Sequence, residues 1–259
     1  MQDIIKNKLA EIEQEHGFKI LFAIESGSRA WGFEGADSDY DVRFVYALPE
    51  KEYMRLAHPA DHFAFTEGDL DIVGWEVRKA LNLMLKGNFT IREWLQSPIV
   101  YKQREDVINI LKELAYQTPC QERLFYSYRS ILKKVIHHYL EPEKPEVNLK
   151  KYFYALRSAF AMHYVQSFGT NTPPMALVDL MEDLRMIDAL DDLMVEEVLK
   201  LIELKKTTFE LGHKPRISVI DSFLLEHVNN EFSNSQEKPS EALIKEYDRF
   251  LYDIVLSNL

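Results

Sequence analysis

The hydrophobic period of this chain changes once, near residue 78, and that change restricts the fold more than any other feature. Before it lie short apolar runs rich in aromatic and branched residues. They fall at about 18–25 (FKILFAIE), 39–47 (DYDVRFVYA), 62–66 (HFAFT) and 70–77 (LDIVGWEV), and all four read as strands. Glu67-Gly68 joins the last two as a turn. A helix over 2–16 precedes them, with Ile4, Ile5, Leu9 and Ile12 near helical spacing and Gly17 as its C-cap. Beyond residue 78 the period is helical. RKALNLMLKGN reads as a helix ending near Gly87, and FTIREWLQS as a second, short one. From about residue 104, breakers at Pro119, 141–146, 169–174 and 213–216 divide the chain into five or six helices. Strands first and helices afterwards predict an α+β fold. The expected domains are a small mixed β-sheet with flanking helices over 1–103 and a C-terminal helical bundle over 104–259. A doubly wound parallel fold would alternate throughout, and this sequence does not.

Composition removes several classes of function. With 259 residues, 46% hydrophobic and 28% charged, the chain can bury a sizeable core and is not mostly disordered. No apolar run reaches the roughly 20 residues of a membrane-spanning helix. The N-terminal segment is charged and amphipathic, without the apolar core of a secretory signal. The single cysteine, Cys120, rules out an intrachain disulfide and a thiolate zinc site, and fits a reducing cytoplasm. Its place beside Pro119 at a helix start suggests an inert, buried thiol. A net charge of −11 argues against non-specific nucleic-acid binding. The charge is uneven, however: residues 121–170 carry 8 basic and 4 acidic side chains, an island where an anionic ligand would land. No heptad run marks a coiled coil.

The chemistry concentrates in residues 25–44, ESGSRAWGFEGADSDYDVRF. Asp39 and Asp41 are two apart at the opening of a strand, so their carboxylates share a face. Like charges that close raise each other's pKa unless a cation sits between them, and hard oxygen donors suit Mg²⁺ or Mn²⁺. Gly27-Ser28 follows the first strand directly, where a glycine permits close backbone approach and free N–H groups can cradle phosphate. A third carboxylate stands on a later strand at Asp71, with Asp69 of the same parity as the fallback. Each signal alone is common in solvated turns and strand faces. In this order and spacing they compose the parts of two-metal phosphoryl transfer. In haloacid-dehalogenase-type phosphatases and metal-dependent glycosyltransferases the acidic pair closes an apolar strand. Here it opens one, which disfavours both.

Gly27-Ser28, then Asp39-Tyr40-Asp41, then Asp71 resembles the signature of the polymerase-β nucleotidyltransferase superfamily. The segments GSRAWGF, SDYDVRFVY, LDIVGWEVRKAL, KGNFTIREWLQSPIVY, KKYFYALRSAFAMHYV and TPPM resemble its bacterial RNA-repair-pathway (RlaP-like) subfamily over about residues 20–175, with KPRISVIDSF near 214. The resemblance implies that Asp39 and Asp41 bind both metals, and that Asp71 binds the catalytic metal and helps activate the attacking hydroxyl. It implies that Gly27 and Ser28 hold the β- and γ-phosphates of an NTP. ATP is the first candidate among nucleotides. The acceptor is left open between an RNA end and a protein or small molecule, beside a non-catalytic nucleotide sensor. Further candidates surround this set. Arg29 could pair with phosphate, Trp31 could stack on a base or pack in the core, and Arg43 could orient the carboxylates. In the basic island Lys150, Tyr154 and Arg157 share a helix face, which nominates Lys150 or Lys151, with Arg157, as cations for a triphosphate. His137-His138 reads as packing or surface.

Overall fold

The computed structural model describes residues 1–35, 38–141, 144–207, 212–233 and 237–256. The architecture is α+β, and its contacts cluster into two compact units. The first comprises residues 1–30, 39–119 and 237–259; the second comprises 31–38 and 120–236. This parting differs from a division at 103/104, because two later helices complete the core of the first unit.

In chain order the first unit holds α1 (Gln2–His16), β1 (Lys19–Glu25), the helical turn α2 (Gly27–Ala30), β2 (Tyr40–Ala47), α3 (Glu50–Tyr53), β3 (His62–Glu67), β4 (Leu70–Glu76), α4 (Val77–Leu85), α5 (Phe89–Leu95), β5 (Val100–Gln103) and α6 (Glu105–Gln117). The second unit holds α7 (Gln121–Tyr139), β6 (Glu146–Asn148), α8 (Leu149–Phe168), α9 (Leu177–Met186), α10 (Asp192–Thr207), β7 (His213–Pro215) and α11 (Ser218–His227). The chain then returns to the first unit as α12 (Glu241–Leu256). Among the described residues, no helix is long and apolar enough to cross a membrane.

The five-stranded sheet runs β3-β4-β2-β1-β5. Only β2 and β4 are parallel; the other pairings are antiparallel. Alternation along β2 sends Val42, Phe44 and Tyr46 to one face, where they meet Ile5, Leu9 and Ile12 of α1. Each such apolar side chain contributes about 1.5–3 kcal/mol when removed from water. Gly17 ends α1 in the left-handed conformation, φ 65°. Ile4 lies outside the buried stripe and is exposed. Val45 and Ala47 face the other way, into a cluster with residues of α4, α5, α6 and α12. Asp41 and Arg43 share that second face by parity, at the start of the strand. Asp71 has the matching position on β4, because the register pairs Asp41 with Asp71.

Three strands carry no clear sequence signal. β5 is four residues long, PIVYKQ standing between two helices, and β6 and β7 have three residues each. β6 and β7 pair antiparallel inside the second unit, where HKPR reads in sequence as a breaker. Seven helices follow residue 104 among the described residues, against the five or six that the breakers suggest.

Candidate active site

Asp41 and Asp71 stand side by side at the openings of two parallel strands. Two carboxylates about 5 Å apart repel by on the order of 3 kcal/mol at an effective dielectric near 20. The fold places a guanidinium against both. Arg43 Nη2 donates to Asp41 Oδ1 at 2.9 Å and to Asp71 Oδ2 at 2.8 Å. Its Nη1 donates to the main-chain oxygens of Val42 and Asp71, each at 3.0 Å. The side chains of Arg43, Asp41 and Asp71 are 17%, 31% and 38% exposed, so the two carboxylates open progressively toward solvent. Burial raises the pKa of Asp41; the charges of Asp71 and Asp39 push it the same way, and Arg43 opposes them.

Asp39 is exposed and lies one residue before β2. Its main-chain oxygen accepts Arg29 Nε at 3.1 Å, and the Arg29 guanidinium stacks 3.8 Å over the Tyr40 ring. Arg29 is thus anchored beside the acidic pair. Asp69 sits in the exposed turn between β3 and β4, its main-chain oxygen accepting from Tyr40 N–H at 2.7 Å. The structure therefore brings Asp71, and not Asp69, beside Asp41.

Residues 26–38 read as a loop in sequence, but Gly27–Ala30 makes a helical turn. Gly27 has φ 60°, and a Cβ built there would stand 2.0 Å from Asp41 Oδ2. Only a residue without a side chain lets the backbone approach the carboxylate so closely. Gly27 and Ser28 thus adjoin the acidic pair. Ala36 and Asp37, within the same motif, lie outside the described residues.

Two contributors carry no motif. Glu25, the last residue of β1, is fully buried, accepts Asp41 N–H at 2.7 Å and accepts the hydroxyl of Tyr101. Burial pushes its carboxyl above the ordinary range, while both donors favour its charged form. The acidic start of ESGS was the available signal for Glu25; Tyr101 is on β5, which the sequence does not announce.

Among the described residues, no three or more His, Cys, Asp and Glu side chains are gathered as a metal-holding group. The donor chemistry at Asp41 and Asp71 nevertheless fits a hard divalent ion. Two carboxylates are held adjacent at a cost that a cation relieves, and Arg43 supplies the positive charge here.

The profile of the RlaP family, described as the RNA repair pathway DNA polymerase beta family, matches residues 1–253. The chain belongs to this family. An uncharacterized protein of Bacillus subtilis (strain 168), YcgL, is 37% identical over 259 residues, covering 98% of this chain and 96% of that protein. A crystal structure of a nucleotidyltransferase-like protein from Exiguobacterium sibiricum 255-15 aligns over 98% of this chain and 77% of its own. The identity there is 14% and the TM-score 0.31, too low to bear on the fold.

The remaining candidates of this RlaP-family chain belong to the second unit. Trp31 packs edge-on to Tyr154, with ring centroids 5.6 Å apart. The buried Arg157 lies 4.7 Å over the Trp31 ring and donates through Nε to Met175 O at 3.0 Å. Those contacts give Trp31 and Arg157 a place in the packing of that unit. Lys150 is exposed, whereas the Lys151 ammonium lies 4.2 Å over Tyr139 and 5.5 Å over Tyr154. Lys205, which no motif singled out, is buried with its ammonium 4.8 Å over Phe33. Cys120 is fully buried.

Proposed function

We propose that this chain is a metal-dependent nucleotidyltransferase that moves an NMP from an NTP, ATP first among them, to the hydroxyl of an RNA end and releases pyrophosphate. The observation that carries the reading is the pairing of Asp41 with Asp71 on parallel strands, with Gly27 pressed against Asp41. Membership of an RNA-repair-pathway family supports RNA as the acceptor. A fully buried single thiol suits the cytosol, where we place the reaction.

Asp41 and Asp71, with Asp39 from the adjoining turn, would hold Mg²⁺ or Mn²⁺. The ion would neutralise charge on the attacked phosphoryl group and polarise the nucleophile. Asp71, the more open carboxylate, receives the proton of the acceptor hydroxyl as its oxygen bonds to the α-phosphorus. The bond from that phosphorus to the bridging oxygen breaks, and pyrophosphate leaves with the electron pair. Gly27 and Ser28 hold the β- and γ-phosphates, and Arg29 lies beside them. Positioning and charge neutralisation suffice for this chemistry, so no nucleophilic side chain is required.

The test is label transfer from α-³²P NTPs, with Mg²⁺ or Mn²⁺, into fractionated RNA, protein and metabolites. Label is expected in RNA. Asp39→Asn and Asp41→Asn should each lower it at least about 100-fold, with circular dichroism unchanged. Near-normal transfer by both variants would remove the mechanism, and label confined to protein or metabolites would reassign the acceptor.

A further inference from the structure

Three consecutive residues, Glu25-Ser26-Gly27, grip Asp41 at three different places. Glu25 Oε1 accepts its main-chain N–H at 2.7 Å. Ser26 N–H donates to its main-chain oxygen at 2.8 Å. Gly27 adjoins its carboxylate. β1 ends at Glu25, opposite Val42, so Tyr40 and Asp41 of β2 run past it. The Glu25 carboxylate takes up the N–H that a longer β1 would have met through its own backbone.

Glu25 is itself fixed from several sides. Its main-chain N–H donates to Ile99 O at 2.9 Å, and its main-chain oxygen accepts Ser97 Oγ at 2.6 Å. The second carboxylate oxygen accepts the Tyr101 hydroxyl, and Tyr101 is buried. A carboxylate buried this completely is costly unless it is hydrogen-bonded, and a neutral side chain would pack here at lower cost.

We propose that Glu25, backed by Tyr101, is a positioning residue that sets the location of Asp41 in the acidic pair. The inference rests on the reading of that pair as a metal site.

Mn²⁺ alone, titrated into the full chain and followed by electron paramagnetic resonance, tests it without an acceptor or a nucleotide. Glu25→Gln preserves both contacts, its oxygen accepting from Asp41 and its amide donating to the Tyr101 oxygen. Glu25→Asp keeps the charge but falls one methylene short of Asp41. Residues behind a metal ligand typically govern about 10–100-fold in metal affinity, so Glu25→Asp should weaken Mn²⁺ at least about tenfold and Glu25→Gln no more than about threefold. Tyr101→Phe should weaken it about threefold, by loosening Glu25 alone. A purely structural role would lower the melting temperature and leave the Mn²⁺ affinity of the folded protein unchanged. Wild-type affinity in Glu25→Asp, with binding lost in Asp41→Asn, overturns the positioning role and leaves the metal site standing. Should Glu25→Asp fail to fold, unchanged affinity in Tyr101→Phe overturns it instead. Equal Mn²⁺ behaviour of wild type and Asp41→Asn overturns the site, and the inference with it.

Discussion

At the scale of single residues, the acidic pair depends on a contact that leaves no room for a methyl group. The Cβ of Gly27→Ala would stand 2.0 Å from Asp41 Oδ2 and 2.8 Å from its carboxyl carbon, at a backbone φ of 60°. The left-handed conformation alone costs an L-residue about 1–2 kcal/mol. The remaining strain has two outlets: the helical turn shifts, or the Asp41 carboxylate moves off Arg43. Either outcome disrupts the proposed site while leaving both sheet faces intact. Gly27→Ala is therefore expected to lower nucleotidyl transfer by at least about 100-fold, for a stability loss of only about 1–3 kcal/mol in urea. Transfer within threefold of wild type would show that the carboxylate is not held where the chemistry needs it. The residues themselves were legible in sequence, since ESGSRAW and DYD announce a turn and an acidic pair. Their supports were not. Arg43 reads only as a residue of matching parity, and Tyr101 reaches Glu25 across 76 positions of chain.

At the scale of elements, legibility followed length. β1 to β4 run six to eight residues, and period-two patterning with bounding turns suffices to place them. β5, β6 and β7 run three or four residues, too short for any period to separate strand from loop. Helix periodicity likewise locates α8 and α11 without revealing what joins them. There His227 Nδ1 lies 2.9 Å from Phe223 O, and its Nε2 lies 3.0 Å from His163 Nδ1. A carbonyl only accepts, so His227 Nδ1 is the donor to Phe223 O. Burial, reinforced by the neighbouring His227 and opposed by Glu226, pushes His163 down to about 4. The folded value lies below the unfolded one, near 6.5. Above about pH 6.5 the group has no effect on stability, because both states are neutral. As pH falls from there toward 4, the unfolded chain takes up a proton that the folded chain refuses, and stability drops by on the order of 3 kcal/mol. His163→Gln should reduce that slope, read as the difference from wild type in urea midpoints between pH 7 and 4.5. Identical slopes in the two proteins would mean that His163 titrates normally in the fold.

At the scale of the whole molecule, sequence order and spatial order part company. The unit that carries Asp41 and Asp71 begins at the N-terminus, yet its core is completed by α12, more than a hundred residues after α6. Leu243, Tyr247, Phe250 and Ile254 recur at helical spacing along α12 and are buried in the cluster that covers the second sheet face. Tyr247 adds a hydroxyl pairing with Thr118 at 2.6 Å, at the end of α6. A reading by sequence blocks assigns α12 to the helical bundle, because a local period says which face is apolar and nothing about which distant surface covers it. The consequence is measurable with the chain's own tryptophans. Trp75 and Trp94 pack 4.3 Å apart, centroid to centroid, in the first unit, whereas Trp31 belongs to the second. In a Trp31→Phe background, fluorescence reports on the first unit alone. Phe250→Ala removes a buried aromatic ring there and should cost about 3–5 kcal/mol, read as a shifted urea midpoint at nearly constant slope. If that midpoint does not move, α12 does not contribute to the core around the acidic strands, and the unit closes without it.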